Sequence, residues 1–142
     1  ELLDYRVRTF RNGRRVKELL IQVADCMKEL LDLYKPDIVV IEKPFFARTK
    51  RSALLVFLVQ ELRQGVRARG ATLKLIGPLE VRARLLRNSR ATKRDVARKV
   101  IERFPELREH FHPGDHWRER YWGHVFDAVG VGLISGNDLQ VE

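Results

Sequence analysis

The order of apolar and polar positions along the chain predicts strands alternating with helices. Residues 1–10 set Leu3, Tyr5, Val7 and Thr9 against Asp4, Arg6, Arg8 and Phe10, the period of a half-buried strand. Asn12-Gly13 marks a turn. Over residues 14–34, Val16, Leu19, Leu20, Val23, Met27, Leu30, Leu31 and Tyr34 recur at steps of three and four. That spacing predicts one amphipathic helix, ended by Lys35-Pro36. Residues 37–42 are a short β-branched run of the kind buried inside a parallel sheet, and Pro44 breaks it. A second helix is expected over residues 52–69. Its first half, residues 53–59, is apolar on every side and so needs a second partner, which a homodimer would supply.

Residues 71–76 read as another strand closed by Gly77-Pro78, followed by a short helix over 78–86. Asn88-Ser89-Arg90 is a loop, and Thr92-x-x-Asp95 is a capping box that opens a helix running to Phe104. Residues 105–120, rich in His and Pro, read as irregular. Residues 123–134 form a final apolar helix that Ser135-Gly136 should stop. The layout is α/β with a partly parallel sheet, thin at about three strands.

Composition narrows the function classes. At 142 residues with 44% hydrophobic content, a single domain over 1–142 with a real core is expected. No apolar run reaches the roughly 18 residues of a membrane span, and no basic-then-apolar signal sequence opens the printed residues. The lone Cys26 excludes an internal disulfide and a multi-cysteine zinc site, and fits a reducing, cytoplasmic setting.

Charge changes the picture more. The chain carries 28 Lys+Arg against 19 Asp+Glu, a net +9. Residues 48–103 hold 16 of those cations and four acids, net +12, which leaves the rest at −3. Six cations (Arg82, Arg84, Arg87, Arg90, Lys93 and Arg94) follow one another without a carboxylate between them. An external anion, nucleic acid first, is the simplest compensation.

Four groups could carry chemistry. Glu42 ends a buried strand, the sheet edge where ligands bind in open α/β folds, and could coordinate a hard cation; a strand-end glutamate paired with Lys43 is the plainer alternative. His124 and Asp127, three apart, share one helix face and could hold a divalent metal; against this stands an aspartate merely stabilised by a helix N-terminus. Phe45-Phe46, followed by Arg48, Lys50 and Arg51, suit base stacking on unpaired or distorted DNA, unless they tuck under their own loop. Lys93 begins a helix, where a cation opposes the dipole unless a phosphate lies there; otherwise it is a tolerated surface lysine. His110, His112 and His116, near Asp115, lack the regular spacing of a zinc site and read as a polar loop.

Together these residues resemble the RuvC-type Holliday junction resolvases of the RNase H-like superfamily. The resemblance is carried by KPDIVVIEKPFF, RSALLVFLVQELRQGVRARG, TLKLIGP, ATKRDVARKVI and GHVFDAVGVGL, in that order, across nearly the whole chain. It implies an RNase H-like α/β fold, a mixed sheet flanked by helices, and an endodeoxyribonuclease that cuts four-way or branched DNA using Mg²⁺, with Mn²⁺ as a substitute. It makes Glu42 the strand-end catalytic glutamate, Phe45 the residue that stacks on junction bases, Lys93 the lysine beside the cleaved phosphate, and His124 and Asp127 a metal pair. Phe46, Arg48, Lys50, Arg51, Arg82, Arg84, Arg87, Arg90 and Arg94 become the DNA-binding surface, and the 52–69 helix the homodimer contact.

Two departures stand out. The family's first strand, with its opening catalytic aspartate and glycine turn, has no match here, and Asp4 is a poor substitute. Two strands of roughly 15–25 residues are therefore expected to be missing before Glu1. Arg87-Asn88-Ser89-Arg90 replaces a glycine-rich stretch, which points to altered substrate preference. Two alternatives remain: an inactive RNase H-like module that clamps branched DNA, and a nuclease of this fold acting on RNA or RNA–DNA hybrids.

Overall fold

A computed structural model describes residues 1–10, 15–44 and 50–138, with 50–52 and 137–138 described by backbone alone. Phe45, Phe46 and Arg48 lie outside the described residues, as do the side chains of Lys50 and Arg51. The element order is α1 (Val16–Tyr34), β1 (Ile38–Glu42), α2 (Lys50–Ala68), β2 (Thr72–Ile76), α3 (Pro78–Leu86), α4 (Lys93–Arg103), a 3₁₀ turn (Pro105–His110) and α5 (His116–Asp138).

β1 and β2 pair directly. Thr72 N–H donates to the Asp37 carbonyl at 2.9 Å, and Lys43 N–H donates to the Ile76 carbonyl at 2.8 Å. The two contacts ascend both strands together, so the pair is parallel and α2 is its crossover. Parallel pairing brings the C-terminal end of β1, with Glu42, to the same edge as the Gly77-Pro78 turn that starts α3.

Two compact units divide the described residues. The first comprises residues 1–7, 40–43 and 75–142. Its core joins Ile76, Val81, Val96, Val100, Ile101, Leu107, Val125, Phe126, Val131 and Ile134. The second comprises residues 8–39 and 44–74, where α1 packs on α2 over Cys26, Leu31, Val59 and Val66. There Arg69 donates to the Asp32 carboxylate at 2.7 Å and to the Gly65 carbonyl at 3.0 Å, and that hydrogen bond holds the Asp32 carboxyl below its usual range. α1 stops where Lys35 takes a left-handed turn (φ 44°) ahead of Pro36. On α2 the all-round apolar stretch buries Val59 but leaves Val56 and Phe57 about half exposed.

The structure departs from the sequence reading in three places. Residues 1–10 form no strand, and the sheet has two strands among the described residues. Leu2, Tyr5 and Val7 nonetheless pack on the core, while Leu3 is 79% exposed. Alternation along a chain reports one-sided burial; a ladder needs a hydrogen-bonding neighbour as well. Residues 105–120 are more regular than expected, since the 3₁₀ turn buries Leu107 completely.

α5 also begins seven residues early and runs through Ser135-Gly136. Asp115 caps it: its carboxylate accepts from Arg118 N–H at 3.1 Å, and its carbonyl accepts from Glu119 N–H at 2.8 Å. One glycine costs a helix only about 1 kcal/mol, and burial of Ile134 outweighs it. Among the described residues no helix is long and apolar enough to cross a membrane.

The capping box of α4 forms as expected. Asp95 N–H donates to Thr92 Oγ1 at 3.2 Å, and Thr92 N–H donates to Asp95 Oδ2 at 2.8 Å. Thr92→Ala should therefore lower stability by about 1 kcal/mol in thermal or urea unfolding. Because Lys93 follows directly, this cap also fixes where that lysine starts.

Candidate functional site

Four elements of the first unit deliver one cluster. Glu42 comes from the end of β1, Arg82 from α3, Lys93 from the first position of α4, and Asp127 from α5. Together they line a small cavity floored by Val81, Val96 and Val131. Lys93 Nζ lies 2.9 Å from Asp127 Oδ2; the lysine side chain is 68% exposed and the aspartate 20%. The helix-dipole explanation for Asp127 falls away, because α5 starts at His116 and puts Asp127 deep inside the helix. What balances its charge is Lys93.

Glu42 is held differently. Partial withdrawal of its carboxyl from water raises its pKa above the usual value, and the negative charge of Asp127 raises it further. Lys93, His124 and Arg82 act in the opposite direction. The site thus brings together two carboxylates, a lysine and an arginine, with a histidine nearby. His124 is exposed, one turn before Asp127 on α5.

Among the described residues, no three His, Cys, Asp or Glu side chains converge as a metal site. The two carboxylates still suit Mg²⁺, which keeps several waters and is commonly bound by one or two carboxylates together with substrate phosphates. A cation held by these carboxylates would relieve the repulsion that Asp127 exerts on Glu42.

The six-cation stretch is compensated in part by the fold itself. Arg84 pairs with Glu80 at 3.3 Å and donates to the Ile134 carbonyl at 3.2 Å. Lys93 pairs with Asp127, and Arg94 makes a two-pronged contact with Glu119, one arm at 3.0 Å. Arg82 is half-buried beside the carboxylates, whereas Arg87 and Arg90 are exposed around the turn before α4. The expectation that an external anion must balance the whole run is therefore too strong, since three of the six have carboxylates brought in from other turns.

A second, larger cavity of about 600 Å³ shares Lys93 and Asp127 with the first and has His124 in its own wall. Phe111, His112, His116, Trp117, Arg120 and Phe126 are among its walls. His110 also lines it and is locked in place, stacked on Trp122 with ring centroids 3.7 Å apart and bonded to the Tyr5 hydroxyl at 3.2 Å. The Arg94–Glu119 link between α4 and α5 was not legible in the sequence. Nothing local signals a partner 25 residues away. The aromatic ladder Trp117–Tyr121–Trp122 was legible in principle, since Trp117 and Tyr121 stand four apart on α5.

Glu119 is pushed down to about 2, chiefly by its hydrogen bond from Arg94 and also by the Gly114 backbone N–H. A lowered carboxyl stabilises the fold fully above its ordinary value of 4.5, and this contribution fades as pH falls toward 2. Glu119→Gln should therefore melt below wild type at pH 7, with the two curves meeting near pH 2.

The arrangement is that of an RNase H-like α/β protein with acidic residues at the C-terminal end of a parallel strand, and solved structures bear out this fold. A Thermus thermophilus RuvC structure superposes with a TM-score of 0.72 at 18% identity, covering 95% of this chain and 78% of its own. The T. thermophilus RuvC in complex with Holliday junction substrate gives 0.65 at 22% identity, covering 90% and 72%. The model of the family "Crossover junction endodeoxyribonuclease RuvC" matches residues 1–117, and the chain belongs to that family. The crossover junction endodeoxyribonuclease RuvC of Dictyoglomus turgidum is 29% identical over 108 residues, 71% of this chain. The chain spans 65% of that relative's length. Glu42 and Lys93 fall within the family match; His124 and Asp127 lie beyond residue 117, and their assignment rests on the geometry above.

Proposed function

We propose that this chain is a structure-specific endodeoxyribonuclease that hydrolyses phosphodiester bonds of four-way or branched DNA with Mg²⁺ or Mn²⁺. One observation carries the reading: Glu42 and Asp127 line one small cavity, and Lys93 already meets Asp127 there. Family membership and the junction bound to a structural relative support it. A divalent ion held by Glu42 and Asp127 would supply an activated water and charge neutralisation at the phosphate.

The chain's own residues do the rest. Lys93, at the positive end of α4, receives a phosphate oxygen by exchanging its partner Asp127 for the substrate. Arg82 adds positive potential beside it. His124, one turn from Asp127, orients the attacking water or completes the ligand set. Arg87, Arg90 and Arg94, with Phe45, Phe46, Arg48, Lys50 and Arg51, guide the DNA arms. The exposed Val56 and Phe57 of α2 are the surface through which two copies associate, which suits the two-fold character of a junction.

One observation favours a second reading, a module that clamps branched DNA without cutting it. Among the described residues only two carboxylates meet in the small cavity. The full chain, mixed with a synthetic four-way junction, a linear duplex and an RNA–DNA hybrid, decides between them. Symmetric nicks in the junction that require Mg²⁺ or Mn²⁺ and vanish with EDTA are the expected result. Tight junction binding without nicks would establish the clamp, and preferred cutting of the hybrid would overturn the DNA assignment.

A further inference from the structure

The 600 Å³ cavity beside the carboxylates is not used by the hydrolysis itself. Its size lies within the range of small-molecule sites, large enough for one nucleotide. Its position restricts the occupant. Because Lys93 and Asp127 belong to both cavities, whatever fills the larger one is continuous with whatever sits at the smaller one. A strand whose phosphate lies at Lys93 can reach the larger cavity with its neighbouring nucleotide.

The walls have the chemistry of a base. Phe111, Trp117 and Phe126 offer ring surfaces, His112 and His116 offer ring nitrogens that donate or accept, and Arg120 offers a fixed cation. Trp117 is presented outward, 65% exposed, yet its ring is already stacked on Tyr121 with centroids 5.4 Å apart and planes 10° apart. A flat face held parallel to a second ring is ready to extend the stack by one more. The two carboxylates in the wall are both occupied, Glu119 by Arg94 and Gly114, and Asp127 by Lys93. An anionic guest therefore meets little net negative charge. The turn joining the 3₁₀ segment to α5 is pinned to α4 through Glu119, so the pocket is preformed.

We infer that this cavity is a base-reading subsite: it takes one unstacked nucleotide next to the scissile phosphate, stacks it on Trp117, and sets the sequence preference of cleavage through His112, His116 and Arg120. The inference rests on the nuclease reading above. Trp117 holds the base against those polar groups, so its loss should weaken discrimination by roughly tenfold.

Four-way junctions carrying each of the four bases at the nucleotides flanking the cut, and a parallel set with 2-aminopurine there, test it with the full chain. Wild type should cut one base context about tenfold faster than the poorest and change 2-aminopurine emission at one flanking position on binding. Trp117→Ala should compress that spread and lose the emission change while still nicking junctions, and Trp117→Phe should restore most of both. Because Trp117 is largely exposed, the melting temperature should hold. An unchanged spread in Trp117→Ala, or no emission change at any flanking position of a bound junction, overturns the subsite and leaves the nuclease intact. If wild type neither binds nor cuts junctions, the nuclease reading falls, and the subsite with it.

Discussion

Asp127→Asn is expected to reduce metal-dependent junction cleavage by about a thousandfold, a few kcal/mol of transition-state charge stabilisation at roughly 1.4 kcal/mol per factor of ten. The asparagine keeps the shape and can still accept from Lys93, so the fold and junction binding should survive. The loss should fall on the chemical step in single-turnover kinetics. Glu42→Gln should do the same to cleavage but the opposite to stability. Glu42 has a raised pKa, so its protonated form is the one the fold prefers. The stability this brings is complete below the ordinary value of 4.5 and is lost as pH rises through the higher value in the folded protein. Above that higher value the metal-free wild type carries an ionised carboxylate that feels the charge of Asp127, and the neutral glutamine removes that repulsion. Glu42→Gln should therefore melt above metal-free wild type at alkaline pH, with the gap closing as pH falls to 4.5. A variant that loses both activity and stability would place Glu42 in the framework and not in the chemistry.

The second large effect is expected far from any charged group. Gly130 lies on α5, three residues after Asp127, where α3, α4 and α5 meet. A Cβ there would stand 3.2 Å from Val96 Cγ1 and 3.5 Å from Val81 Cγ1. Gly130→Ala sets this tight contact against a gain of about 1 kcal/mol in helix propensity, so it should come out near neutral. Gly130→Leu cannot be absorbed, because Val81, Val96 and Val100 are buried. Overpacking of this kind costs about 3 kcal/mol, a fall in melting temperature on the order of 10 °C. Since the push is against α4, it should also part Lys93 from Asp127. Cleavage by Gly130→Leu should then fall even at temperatures where circular dichroism shows it folded.

How far the sequence foretold this molecule depended on the range of each signal. The capping box at Thr92 and Asp95, the stop at Lys35-Pro36 and the exact extent of α3 are local, and all three hold in the structure. β1 and β2 were readable because β-branched runs bounded by proline and glycine leave few other conformations. The start of α5 was missed because His and Pro suggested a loop, when Asp115 was in fact its cap. The opening strand was misread since burial falls on Leu2, Tyr5 and Val7 but skips Leu3, which breaks the two-residue period. At the site, Glu42, Lys93 and Asp127 were each visible as chemistry at an element's end or on a helix face. Their meeting was implied by the family resemblance alone and not by the residues themselves, as it depends on α4 and α5 packing through Val96, Val100 and Gly130. The Arg94–Glu119 link and the large cavity arise from that same packing.

The contact between Lys93 and Asp127 has one more consequence. An ammonium group seated on a carboxylate acts as a placeholder: before DNA or metal arrives, it supplies positive charge directly at Asp127. The resting protein can thus keep its reactive geometry assembled without distortion, and arrival of substrate becomes an exchange of partners with no rebuilding of the site. Loss of the lysine should then be felt twice, as weaker grip on the phosphate and as an empty site that relaxes away from readiness.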